Sequence, residues 1–298
     1  MKILFVTNYN SIAKHSGGFI NDFLNDLLFY GLYENLGTDV VDSTQIVSLY
    51  KEFEPKIPKQ CLWGKFTAFY LIDKTSVDRT DIESKIRNKY YDFIVYGAIR
   101  RCMDYWDLVN SIYSKNKIIL VDGNDDQDVL SLCDEYPYFK RELIDLENLQ
   151  KNLYPISFSI PTCKVTGNKN TKKQKYIATC NPFDKSTYVF TDEKKYFDDY
   201  NNAYFGITSK KAGWDCLRHY EILANYCMPL FVDVEHCPKN TLTDYPKSIC
   251  KSSFKWVDQS KLNSNEYFET LDLMFNILNS KLTTKAVANN FLNKIKSF

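Results

Sequence analysis

The chain has 298 residues and a formal net charge of +1, with 44% hydrophobic and 25% charged residues. Ten Gly and nine Pro are too few for a collagen-like or low-complexity chain, and the apolar share excludes disorder over most of the length. A near-zero charge excludes the global basic field that marks nucleic-acid or anionic-membrane binding, while a local basic patch stays open.

At about 150 residues per domain, two domains are expected, with one large α/β domain as the alternative. The longest apolar runs fall short of the ~20 residues that a membrane-spanning helix needs. The start, MKILFVTNYN, has too short an apolar stretch for a signal peptide, so the expected location is the cytoplasm. Nine Cys are scattered, odd in number and never spaced Cys-x-x-Cys. That pattern predicts reduced thiols rather than a disulfide framework or a structural zinc site.

Residues 2–7, KILFVT, read as a strand buried in a parallel sheet. A polar loop follows and ends in Gly17–Gly18. Phe19, Ile20, Phe23, Leu24, Leu27, Leu28, Leu32 and Tyr33 then recur at helical spacing, with Asn21, Asp22, Asn25 and Asp26 opposite them. This predicts an amphipathic helix stopped by Gly37, with the next strand at Asp39–Asp42. Further strands are predicted at Phe93–Tyr96 and Lys117–Val121, around a helix over Asp104–Tyr113. Strands alternating with helices imply crossover units and a parallel sheet covered on both faces. Ligands of such sheets sit beyond the carboxyl ends of strands, which directs attention to the loops after Thr7, Tyr96 and Val121.

The stretch from Thr162 to Lys175 carries five Lys and reads as a linker or exposed loop. A second alternating series follows. It comprises YIATC, YVF, a helix near Glu193–Tyr200, a strand AYFGIT, a helix near Trp214–Asn225 and a strand MPLFVDV. Helices over Glu266–Asn279 and Thr284–Lys296 close the chain. The organisation expected is an N-terminal α/β domain, 1–155, and a C-terminal one, 156–298, whose last helix packs back on the first.

The densest polar cluster lies where a strand should hand over to a helix, at Lys210, Lys211, Asp215, Arg218, His219 and Glu221. On a helix Asp215, Arg218 and His219 share one face, and Arg218 neighbours Glu221. Cations beside a helix start suit a pyrophosphate, and a carboxylate nearby suits a ribose or sugar diol. The bland reading is an exposed helix with surface ion pairs. Gly17 and Gly18 permit close backbone approach to a ligand, and His15 just before them is a candidate acid or base. VDGNDDQD places Asp122, Asp125, Asp126 and Asp128 after a strand. They are candidates for a catalytic base, with Asp122 first, for a divalent-metal site, or for a turn and helix cap. Lys140, Arg141 and Glu142 read as a solvated helix start within reach of donor phosphates. Asp233, Glu235, His236 and Cys237 are a weaker metal cluster.

The run HYEILANYCMPLFVD resembles the C-terminal-domain signature of GT-B glycosyltransferases: an acidic residue, a small and apolar helix, then Pro and a strand. KKAGWDCLRHYE, YGLYENLGTDVVD, VDGNDD and FKREL look like a family of glycosyltransferase-like proteins. The resemblance implies an α/β architecture of two Rossmann-like domains facing across a cleft. It implies transfer of a sugar from a nucleotide-activated donor to an acceptor hydroxyl on a glycan, a lipid-linked carrier or a nucleic acid. Glu221 matches the Glu that holds donor ribose hydroxyls, and Lys210, Lys211 and Arg218 would neutralise the pyrophosphate. No cofactor and no essential divalent metal are implied. Retaining families carry Glu-x7-Glu, and the place of the first Glu is Gly213 here, so the anomeric outcome stays open. Two alternatives share the fold: a non-catalytic nucleotide-sugar-binding protein, and an enzyme glycosylating bases in DNA through the Lys-rich stretch.

Overall fold

The computed structural model describes residues 1–7, 22–54, 66–73, 77–144, 151–258, 262 and 264–298. His15, Gly17 and Gly18 lie outside them. In chain order the first part runs β1 (Ile3–Val6), α1 (Phe23–Leu36), β2 (Val40–Asp42), α2 (Ile82–Arg87), β3 (Phe93–Tyr96), α3 (Trp106–Ile112), β4 (Ile118–Asp122), β5 (Tyr138–Lys140) and β6 (Leu153–Pro155). Then come β7 (Lys175–Ile177), α4 (Glu193–Asn201), β8 (Ala203–Thr208), α5 (Leu217–Ala224), β9 (Met228–Phe231), α6 (Lys247–Ser253), α7 (Asn265–Ile277) and α8 (Thr284–Lys296).

β1 to β6 form one parallel sheet in the order β2-β1-β3-β4-β5-β6. Its residues alternate strictly between two apolar layers, as a sheet covered on both faces requires. Ile3, Phe5, Phe93, Val95, Ile119 and Val121 join Leu24 and Leu28 of α1 and Phe291 and Ile295 of α8. Leu4, Val6, Ile94, Tyr96, Ile118 and Leu120 join Ile86 of α2 and Val109 of α3. The chain reverses its direction of travel across the sheet between β1 and β3. β7, β8 and β9 form a separate parallel sheet in sequence order. Both sheets contribute to one continuous apolar core, since Phe205 and Met228 belong to the cluster that contains Ile3 and Phe5.

Several expectations shift. Asn25 and Asp26, placed on the solvent side, are fully buried, Asn25 against Gly97 and Asp26 beneath Ser48. Asp26 accepts there from Ser48 Oγ (3.1 Å) and Asn25 Nδ2 (3.1 Å). Residues 188–190 are loop rather than strand, and β7 ends at Ile177. The Lys-rich stretch is not a free linker. Lys173 is buried, its ammonium donating to the Asn201 carbonyl (2.9 Å), and Lys164, Lys169 and Lys175 are paired with Glu193, Asp272 and Asp199. No described helix is long and apolar enough to cross a membrane.

At the α1–α8 seam the two helices approach closely. A Cβ at Gly31 would stand 2.2 Å from the Thr284 carbonyl oxygen, and Asn35 Nδ2 donates to the Lys285 carbonyl at 3.0 Å. Gly31→Ala would add up to about 1 kcal/mol on helix propensity alone. Here overpacking is expected to win, with a net loss of about 1–3 kcal/mol in chemical denaturation. An unchanged or raised midpoint would mean that the seam opens without cost.

Candidate functional site

The loop after β8 and the start of α5 build the site. Gly206 in β8 lets α5 lie close: a Cβ there would meet Ile222 Cγ1 at 2.8 Å. All eight residues of α5 are buried, so the helix is no amphipathic surface element. Asp215 precedes the helix and does not share a helical face with Arg218 and His219.

A cavity of about 460 Å³ opens beside the helix start, within the ~300–1,000 Å³ usual for ligand sites. Its walls come from both halves of the chain: Phe23, Phe66 and Asp125 from the first, Phe158, Tyr188, Phe190, Tyr196, Lys211, Asp215, Arg218 and Glu221 among those from the second. Cys180 and Cys216 complete its sulfur-bearing surface.

Arg218 is the unusual member. Only 6% of it is exposed. Its Nη2 donates to Tyr188 Oη at 2.6 Å, and Cζ lies 5.1 Å from that ring's centroid. Among the described residues Nε and Nη1 have no partner and no carboxylate pairs with it. The expected ion pairs with Asp215 or Glu221 are not made. A desolvated cation without a counter-charge costs several kcal/mol. Such a group persists where something outside the chain answers it. Lys211 lines the same cavity, and burial together with the Arg218 charge pulls its ammonium below the ordinary lysine value. Two cations thus share one wall.

Glu221 is 5% exposed. Thr67 donates its hydroxyl to Oε1 and Tyr196 donates its own to Oε2 at 2.6 Å. The carboxylate is therefore fixed from both sides, with lone pairs left for hydroxyl donors in the cavity. Asp215 accepts from the Phe158 N–H (2.6 Å) and Tyr220 Oη (2.9 Å), and burial raises it to about 6.

The remaining candidates serve structure. Lys140, Arg141 and Glu142 are buried at the end of β5 rather than forming a solvated helix start. Arg141 donates to the carbonyls of Gly123 (3.1 Å) and Asp215 (2.7 Å) and to Glu142 (2.8 Å), and it pairs with Asp125. Asp122 is not among the cavity walls. It accepts from Arg100 Nε (2.8 Å), Tyr138 Oη (2.6 Å) and the Asn124 N–H (3.0 Å), with the Lys140 ammonium at 3.3 Å. A carboxylate so engaged anchors its loop and does not suit the base role expected of it. Asp125 takes the place beside the cavity. Lys210 turns away, its backbone N–H on the Asp233 carboxylate and its ammonium 5.1 Å from the Trp214 ring centroid. Among the described residues, no group of three or more His, Cys, Asp or Glu is placed to hold a metal ion.

His219 and Cys216 stand 3.5 Å apart, a spacing that suggests a nucleophile pair. Their hydrogen bonds exclude it. The Trp214 carbonyl, 2.8 Å from Nε2, can only accept, so Nε2 carries the proton and Nδ1 accepts from Thr208 (2.8 Å). No nitrogen is left to take the thiol proton.

Sequence reasoning missed Thr67, Tyr188 and Tyr196. Tyr188 and Tyr196 leave only the aromatic density of residues 188–200 as a local signal and Thr67 leaves none, because each acts through a partner far away in the chain.

Burial lowers His219 to about 4, below its unfolded value near 6.5. The unfolded chain therefore takes up a proton that the native state refuses as pH falls from 6.5 towards 4. Stability supplied by neutral His219 is complete above 6.5 and is lost on acidification, by roughly 2–4 kcal/mol. His219→Gln removes the titration, so its unfolding free energy should fall less than the parent's between pH 6.5 and 4.5. Parallel pH profiles would contradict the assignment.

No protein-family model matches the chain, and comparison with curated proteins finds no match.

Proposed function

We propose that the chain is a glycosyltransferase moving a sugar from a nucleotide-activated donor to an acceptor hydroxyl, through two Rossmann-like domains that face each other across the cavity. The observation that carries the reading is the buried, unpaired Arg218 guanidinium in the cavity wall beside Lys211 and Glu221. Arg218 and Lys211 bind the diphosphate, and Glu221, held by Thr67 and Tyr196, accepts from the ribose diol.

Chemistry follows from placement. As the bond from sugar to phosphate breaks, negative charge grows on the leaving diphosphate. The buried Arg218, with the exposed Lys211 beside it, stabilises that charge more than it stabilises the bound donor. The acceptor enters from the side of Phe23 and Asp125, where Asp125, paired with Arg141 through one oxygen, keeps the other to take the hydroxyl proton. Neutralised lysines in the Lys-rich stretch favour a glycan or lipid-linked acceptor over DNA.

Hydrogen bonds to charged groups contribute about 1.5–3 kcal/mol each. Arg218→Ala is therefore expected to weaken nucleoside-diphosphate binding roughly ten- to a hundredfold. Glu221→Gln keeps the shape and loses the charged acceptor. It should weaken ribonucleotide binding and leave inorganic pyrophosphate nearly untouched. Isothermal titration of both variants decides the matter, and unchanged affinity in both would remove the nucleotide from this site.

A further inference from the structure

The walls of the cavity differ in how they recognise a ligand. One side is polar and almost fully engaged within the protein. Glu221 is bonded to Thr67 and Tyr196, and Asp215 to the Phe158 N–H and Tyr220. Asp125 is paired with Arg141, and the Tyr188 hydroxyl lies on Arg218. The Lys211 N–H is turned to the Gly213 carbonyl at 3.0 Å. Among the described wall side chains, polar capacity is left at Arg218 Nε and Nη1, the Lys211 ammonium, the Tyr188 O–H, one oxygen of Asp125 and the remaining lone pairs of Glu221. These groups address phosphate and hydroxyl. No wall side chain is an amide, the neutral donor–acceptor pair that reads the edge of a base.

The other side is aromatic. Tyr196 contacts both Phe66, at a centroid distance of 5.5 Å, and Phe190, at 5.9 Å. Phe66 and Phe190 are only half-buried, so ring surface is open to a ligand. The same Tyr196 donates to Glu221, so the aromatic surface begins where a diol would be held. Stacking on a ring is tolerant of base identity, because every base has a π-face.

We infer that the cavity takes nucleoside diphosphates as a class, reading diphosphate and ribose by charge and hydrogen bonding and the base only by stacking on the Phe66–Tyr196–Phe190 wall. The inference rests on the donor-site reading above and adds that the enzyme is tolerant of its donor's base. An isoprenoid diphosphate would also satisfy rings and cations. Glu221 disfavours it, since a buried carboxylate with open lone pairs and no hydroxyl to accept from is left partly desolvated.

Titration of the full chain with UDP, ADP, GDP, CDP, inorganic pyrophosphate and geranyl diphosphate separates the possibilities. The four nucleotides are expected to bind within about tenfold of one another, and each about tenfold or more tighter than pyrophosphate, the stacking contribution of one base. Phe190→Ala should bring the nucleotides about tenfold closer to pyrophosphate. Phe190→Leu, which keeps apolar volume without a ring face, should do the same, and thermal unfolding of both variants checks that the fold survives. A spread among bases beyond about tenfold, tighter binding of geranyl diphosphate, or nucleotides no tighter than pyrophosphate would each overturn base-tolerant stacking while leaving the anion site intact. Failure of pyrophosphate and all nucleotides to bind would overturn the donor-site reading together with it.

Discussion

A buried ion pair at the end of β5 is the constraint on which the cavity depends. Arg141 and Glu142 are neighbours in sequence and both almost fully buried. Glu142 accepts from the backbone N–H groups of Trp214 (3.0 Å) and Asp215 (2.9 Å), while Arg141 donates to the Asp215 carbonyl at 2.7 Å. Two side chains at the carboxyl end of an inner strand of the six-stranded sheet thereby grip the loop that leads from β8 into α5. Removing one partner of such a pair typically costs 3–5 kcal/mol, because the other charge is left buried alone. The grip also explains Gly213: a Cβ there would stand 2.5 Å from Glu142 Oε1, so no larger residue fits while the clamp is closed. The Leu143 backbone extends it, its N–H donating to Thr241 Oγ1 at 2.9 Å and its carbonyl accepting from the same hydroxyl.

Set against this clamp, Arg218 shows how the same residue type divides between structure and site. Arg141 gives hydrogen bonds from all three nitrogens, to two carbonyls and two carboxylates. Arg218, buried to a similar depth, has one hydroxyl partner and two idle nitrogens. The cost of desolvating a guanidinium is similar in both. Only one of them has the compensation inside the chain. Asp122 and Glu221 divide in the same way: Asp122 meets a tyrosine, a backbone amide and two cations away from the cavity, whereas Glu221 meets two hydroxyls and keeps its charge facing inward.

Much of the fold is legible in the sequence because it is local. The apolar runs of β1, β3, β4, β8 and β9 and the spacing of α1, α5, α7 and α8 are properties of short windows. The strands β5 and β6 were not legible, being three residues each and, in β5, carrying a lysine whose burial depends on Asp122. The polar cluster of residues 210–221 was legible as a place. Its internal wiring was not, since spacing alone pairs Arg218 with Asp215 or Glu221. The partners that decide the matter are Thr67, 154 residues from Glu221, and Tyr188, 30 residues from Arg218. Helical periodicity carries no information about contacts of that range.

The placement of the charges has one more consequence. α5 runs beneath the cavity with its side chains sorted by depth: His219, Tyr220 and Ile222 turn into the core, while Arg218 and Glu221 reach the cavity wall. His219 is kept neutral by burial and bonded to Thr208 and the Trp214 carbonyl, and it stacks on Phe231 at 4.2 Å. It therefore locks the helix to β8 and β9 without adding a third charge. That rigidity matters because electrostatic stabilisation depends on charges already in position and unable to relax. A flexible arginine would find a carboxylate or water; this one is held from the protein's own carboxylates by a helix packed on every side. The neutral histidine in the core is thus what keeps the charged arginine at the wall available.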